Sequence, residues 1–262
     1  MQETSPPLPE SPEQAAPVPS MSLGARLLNV FACPGDVFEE VKAGPPSFGN
    51  WFVPALLLST VGVIFSLIVF SQPAIVQSLK EQQEKNMEQL VKSGKISRSD
   101  ADRASEQIDR FTGPTMLKLF GSVGSFVFSF GRMLWWGLVL MLLGRWFLHA
   151  RFPYGKSLEV SGLAMMIGVL GTIVAMLLIM KFERLSATPG LGMVISDFDA
   201  TRKSHWFAGA ANVFSFWQIC VLAIALSKLA AVRFTRAILV VFVYWILQES
   251  ILIECGMGQF AQ

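Results

Sequence analysis

The chain is short of charge. Asp, Glu, Lys and Arg make up 15% of its 262 residues, against about 25% in soluble globular domains, while 52% are hydrophobic. That balance excludes an ordinary soluble enzyme or binding domain, and the chain reads as an integral membrane protein. Histidine and cysteine are scarcer still. His149 and His205 are the only histidines, and Cys33, Cys220 and Cys255 are widely spaced with no Cys-x-x-Cys. Zinc sites need clustered Cys and His, and disulfide frameworks need cysteines in number. No metal, cofactor or disulfide is therefore expected. The net charge of +2 is too small a bias to point to nucleic acid. No nucleophile stands beside a base in any recognisable pattern, so no catalytic residue is assigned and no enzymatic activity is expected. Residues 1–20 contain six prolines, three glutamates and no Lys or Arg. They lack the basic and apolar regions of a signal peptide and are expected to form a disordered tail.

What the chain has in quantity is apolar runs. Five of them, about 51–70, 119–148, 158–180, 206–227 and 236–253, have membrane-spanning length. The fold class is thus all-α, a polytopic membrane protein of about five transmembrane helices, with a membrane domain over 21–254. Ahead of the first span, Leu23, Leu27, Leu28 and Phe31 recur at helical spacing. Pro34 then stands where a first helical residue would, and Val37, Phe38 and Val41 continue an apolar stripe. Two amphipathic helices follow from this pattern, either lying on the membrane surface or tucked against the spans. Between spans one and two, residues 77–112 carry seven basic and seven acidic side chains. Their apolar stripes are broken at Gly94, and Ser97 looks like an N-cap, which predicts an extramembrane helical hairpin. Small-residue stripes, Ala164/Gly168/Gly171/Ala175 on the third span and Gly121/Ser125/Ser129 on the second, allow close helix approach, and the two stripes are plausible partners. Gly190-Leu-Gly192 precedes no strand and has no phosphate-binding lysine, so it reads as a turn.

Short loops set the orientation. Arg145, Arg151 and Lys156 crowd the turn after span two, and Lys228, Arg233 and Arg236 crowd the turn after span four. Both turns are expected in the cytoplasm, with the N-terminus on the same side and the C-terminus outside.

The second span holds Arg132 within its apolar run. A guanidinium at that depth costs roughly 2.5–3.5 kcal/mol on insertion scales and demands a partner. Arg132 lies thirteen residues from Arg145, and Glu249 lies thirteen from Arg236. Counted from the cytoplasmic ends, both fall at about 20 Å. Gln218 and Asn212 bracket that level on the fourth span. The expected intramembrane polar cluster is Arg132 paired with Glu249, with Gln218, Asn212 or Gln248 completing the hydrogen bonds.

Several of these residues carry a resemblance. Phe31, Pro34 and Phe38 ahead of the first span, Asn212-Val-Phe-Ser-Phe-Trp217 entering the fourth, and Lys228 closing it resemble the Yip-one-domain family of five-span membrane proteins. The Gly94-Lys-Ile-Ser97 turn between the first two spans is similar to that of bacterial-type members. The resemblance implies a cytoplasmic N-terminus, a bacterial inner-membrane location and no enzymatic activity. Its eukaryotic members carry an Asp-Leu-Tyr-Gly-Pro element linked to GTPase contact. This chain lacks that element, so GTPase binding is not carried over. The expected function is a multipass scaffold or adaptor that organises membrane lipids, another membrane protein or a second copy of itself. The alternative is a small transporter, channel or lipid-moving component that uses the polar layer as a path.

Overall fold

The structure, a computed structural model, describes residues 21–195 and 202–255. The expected tail, residues 1–20, lies outside the described residues. Apart from one backbone bridge, regular structure among the described residues is helical. Five helical segments are long and apolar enough to cross a membrane: Gly49–Val69 (α3), Pro114–Phe147 (α6), Tyr154–Phe182, Val213–Ala230 (α10) and Phe234–Glu254 (α11). The protein is thus an all-α multipass membrane protein. The third of these segments is two helices, Tyr154–Ala164 (α7) and Met166–Phe182 (α8), joined at Met165.

Ahead of them, Leu23–Ala32 (α1) is capped by the Ser22 hydroxyl, and Pro34–Ala43 (α2) opens on proline as expected. The choice between membrane surface and bundle is settled for α2. Its stripe of Val37, Phe38 and Val41 joins Val30 of α1 in the main core, beside Val160 and Leu163 of α7 and Leu222 and Leu226 of α10. All four N-terminal side chains are buried, each contributing roughly 1.5–3 kcal/mol relative to exposure in water. The acidic face of Asp36, Glu39 and Glu40 gives α2 little attraction to a lipid surface, and packing against the spans uses the stripe instead.

The hairpin between spans one and two forms as two helices, Pro73–Lys92 (α4) and Arg98–Phe111 (α5). Gly94 takes the left-handed conformation at φ 70°, and the Ser97 hydroxyl accepts the Asp100 N–H at 3.1 Å. The excursion begins earlier than expected, at Pro73.

Two boundaries and one pairing differ from the sequence reading. The fourth span begins at Val213 rather than Trp206. Lys203–Ala210 (α9) is a separate short helix, and the chain breaks at Ala211 and Asn212. The second span reaches back to Pro114. The small-residue stripe of the second span packs on the first span, not the third: a Cβ on Gly62 would lie 2.7 Å from Ser125 Cβ, and one on Gly121 would lie 2.7 Å from Ser66 Oγ. Gly171 of α8 instead meets the Phe214 ring base of α10, at 3.1 Å from the position of a Cβ. Serines on α3 supplied matching small surfaces that the hydropathy of that span concealed.

These contacts make the spans staggered. Gly162, eight residues into the α7–α8 segment, packs on the backbone of Trp51, near the start of α3. Trp51 is two residues into α3, so the first span begins about six residues, or 9 Å, above the start of α7. At the other end, α8 runs eleven residues past its contact with the start of α10, about 16 Å.

Candidate polar sites within the bundle

Arg132 does find protein partners. Its Nη2 donates to Gln218 Oε1 at 2.9 Å, joining α6 to α10. Glu249 of α11 is near enough for its charge to act on Arg132. The other two amides are elsewhere. Asn212 is the N-cap of α10, its Oδ1 accepting the Ser215 N–H at 2.8 Å, because the helix starts there rather than passing through. Gln248 accepts from Trp135 Nε1 at 3.3 Å, a second tie between α6 and α11.

The depth expected for this layer changes with the stagger. Continuing the α3–α6 register from Ser125 opposite Gly62 places Arg132 level with Ala55, about 9 Å from the start of the first span. Glu249 is only five residues from the end of α11. The layer is thus near one end of the first span and near the opposite end of the fifth. Counting from loop ends assumed a common starting level that the bundle does not have.

A second polar chain, not foreseen, runs where α1, α2, α3 and α7 meet. Lys156 at the start of α7 is buried, and its Nζ donates to the carbonyls of Val41 at 2.6 Å, Gly44 at 2.9 Å and Pro45 at 3.2 Å. An ammonium there closes the C-terminal end of α2, where carbonyls lack partners and the helix dipole is negative. Lys156 Nζ also stands 3.2 Å from Glu159 Oε1, in ionic reach but off the hydrogen-bond direction. Glu159, 2% exposed, accepts Asn50 Nδ2 at 2.7 Å through its other oxygen. Asn50 in turn accepts Arg26 Nη1 at 3.1 Å, and Arg26 Nη2 donates to Glu40 at 2.8 Å. The Glu40 carboxylate also takes the Met21 N–H. The chain passes from a carboxylate on α2 to a carboxylate at 2% exposure. Its sequence signal was present: Glu159 is a charge within the third apolar run, as Arg132 is within the second.

Most of the residues behind the family resemblance lie along the contact of α1 and α2 with α10. Phe31 meets the Trp217 ring edge-on, with centroids 5.9 Å apart, and Phe38 is fully buried. Lys228 Nζ donates to Glu39 at 2.5 Å, and the Lys228 carbonyl accepts Lys42 Nζ at 2.8 Å. Lys228 holds the Glu39 carboxyl below its ordinary titration range by that hydrogen bond and by its charge. Phe38, Trp217 and Lys228 thus serve the seating of α1 and α2 on α10, Pro34 opens α2, and Asn212 caps the far end of α10. Among the described residues no group of His, Cys, Asp and Glu is placed to hold a metal ion.

Helices of this length, tied by buried polar pairs and fronted by the docked α1 and α2, define a polytopic helical membrane protein. The chain belongs to the Yip1 domain family, whose model matches residues 28–253. The family is not known for enzymatic activity. No curated protein and no solved structure gives a match to the chain.

Proposed function

We propose that the protein is a non-enzymatic scaffold or adaptor of the Yip type in a bacterial inner membrane, with its N-terminal helices in the cytoplasm and its C-terminus outside. The observation that carries this reading is the α4–α5 pair. It is a long helical excursion whose buried apolar side chains, among those described, are Ile75, Val76 and Ala101. A helical pair that buries so little of itself gains stability from contacts with something else. The polar groups inside the bundle, by contrast, are spent on its own helices: Arg132 on Gln218, Trp135 on Gln248, Glu159 on Asn50. Such bonds hold spans together at roughly 0.6–2 kcal/mol each.

The adaptor reading expects photo-crosslinkers at exposed α4 and α5 positions, such as Leu90 and Glu106, to capture one recurrent membrane protein or lipid in native membranes. Repeated absence of any adduct, with a monomer by native mass measurement, overturns it. Reconstituted vesicles test the transport reading. Ion flux or lipid movement that Arg132→Ala abolishes would replace the adaptor with a transporter using the polar layer.

A further inference from the structure

We propose that the hollow where α3, α4 and α6 meet binds the phosphate-bearing headgroup of an anionic phospholipid. It has a volume of about 270 Å³ and is lined by Phe70, Ser71, Pro73, Val76, Gln77, Lys80 and Pro114. That is just below the roughly 300–1,000 Å³ of pockets that enclose a drug-sized ligand, so it admits a headgroup and leaves the acyl chains in the bilayer.

Its place in the fold fits that occupant. Phe70 follows the last residue of the first span, and Pro114 opens the second. The hollow therefore lies at the level where span gives way to excursion, which is where headgroups lie. Its chemistry is divided in the same way. Phe70, Pro73, Val76 and Pro114 form apolar walls, and the half-buried Lys80 brings an ammonium. The Gln77 amide is held by a hydrogen bond from its Nε2 to Glu81 at 3.1 Å. Both bordering helices start on proline without a side-chain cap. Their first-turn N–H groups and positive dipole ends therefore add to Lys80 in favouring an anion. The proposal is independent of the adaptor reading, which a hollow without lipid would leave intact.

The full chain is reconstituted in discs of phosphatidylcholine with phosphatidylglycerol, delipidated and read by native mass spectrometry. One phosphatidylglycerol is retained, and Lys80→Gln reduces that retention about fivefold, as expected for the loss of one lysine at a lipid surface, with the charge-reversing Lys80→Glu reducing it further. Ser71→Phe, which fills the hollow without altering charge, reduces it as well. Lys85→Glu, on the same helix but outside the hollow, leaves it unchanged. Lys80→Gln serves should the glutamate variant misfold. Equal retention of phosphatidylcholine, or an equal loss in Lys85→Glu, overturns the site. If inorganic phosphate alone shields Lys80 from an amine-reactive label as well as the lipid does, the site reads a free anion and the lipid assignment fails.

Discussion

Lys156 and Glu159 show what separates a charge that sets topology from a charge that holds a fold. Lys156 sits in a short basic turn, so its position alone reads as an orientation signal. In the structure it is spent on three carbonyls at the end of α2, with Glu159 beside it and Asn50 beyond. Removing one partner strands the other in a dry site, at a cost of roughly 3–5 kcal/mol. Glu159→Ala and Lys156→Ala should each lower the thermal midpoint in mild detergent substantially. Glu39→Ala, whose carboxylate pairs with Lys228 on the exposed side of α2, should lower it far less, since exposed ion pairs are screened by water and salt. Equal midpoints for Glu159→Ala and Glu39→Ala would mean that the buried chain does not support the docking of α1 and α2. At this scale the sequence carried part of the outcome. Arg132 demanded a partner because of its depth, and Gln218 answered. Glu159 carried the same signal and went unread, while Asn212 was misread because a cap and an intramembrane amide look alike until the helix start is known.

Apolar runs mark where helices exist but not how high they stand against one another. The five spans and the α4–α5 hairpin were legible because length, prolines and a Ser97 cap suffice to define them. The stagger was not, because it depends on which small residues meet. The sharpest of these contacts is at Gly162. A Cβ there would lie 2.4 Å from Trp51 Cα and 2.9 Å from the Asn50 carbonyl, which are backbone atoms that cannot turn aside. Gly162→Ala therefore has to push α7 from α3, and overpacking of this kind costs roughly 1–3 kcal/mol or more. It also pulls Asn50 from Glu159. By contrast, Gly131 on the outer side of α6 has nothing near the position of a Cβ. Gly131→Ala should be neutral or stabilising by up to about 1 kcal/mol through helix propensity. Thermal midpoints of the two variants, measured together, decide the matter: an undisturbed Gly162→Ala would show that α3 and α7 do not approach as closely as described, and the stagger would go with it.

For the whole molecule, α2 joins evidence that loop charges gave only separately. Its C-terminal end is held by Lys156 at the start of α7, and its exposed face is held by Lys228 at the end of α10. The two short basic turns and both N-terminal helices are therefore on one side, while the α4–α5 hairpin follows an odd number of spans and lies on the other. The basic residues of that hairpin oppose a reading by charge, but they are matched one for one by acids, and long excursions are poor orientation signals. The native cysteines report the result without any substitution. Cys33 lies between α1 and α2, Cys255 follows α11, and Cys220 lies within α10, all three exposed. A charged maleimide cannot enter hydrocarbon, so Cys220 on the lipid-facing part of a span should stay unlabelled. Applied to intact spheroplasts, the reagent should modify Cys255 alone, and Cys33 should react only after permeabilisation. Labelling of Cys33 alone in intact spheroplasts would invert the orientation. Labelling of both cysteines from one side would mean an even number of crossings, which five membrane-spanning segments cannot give.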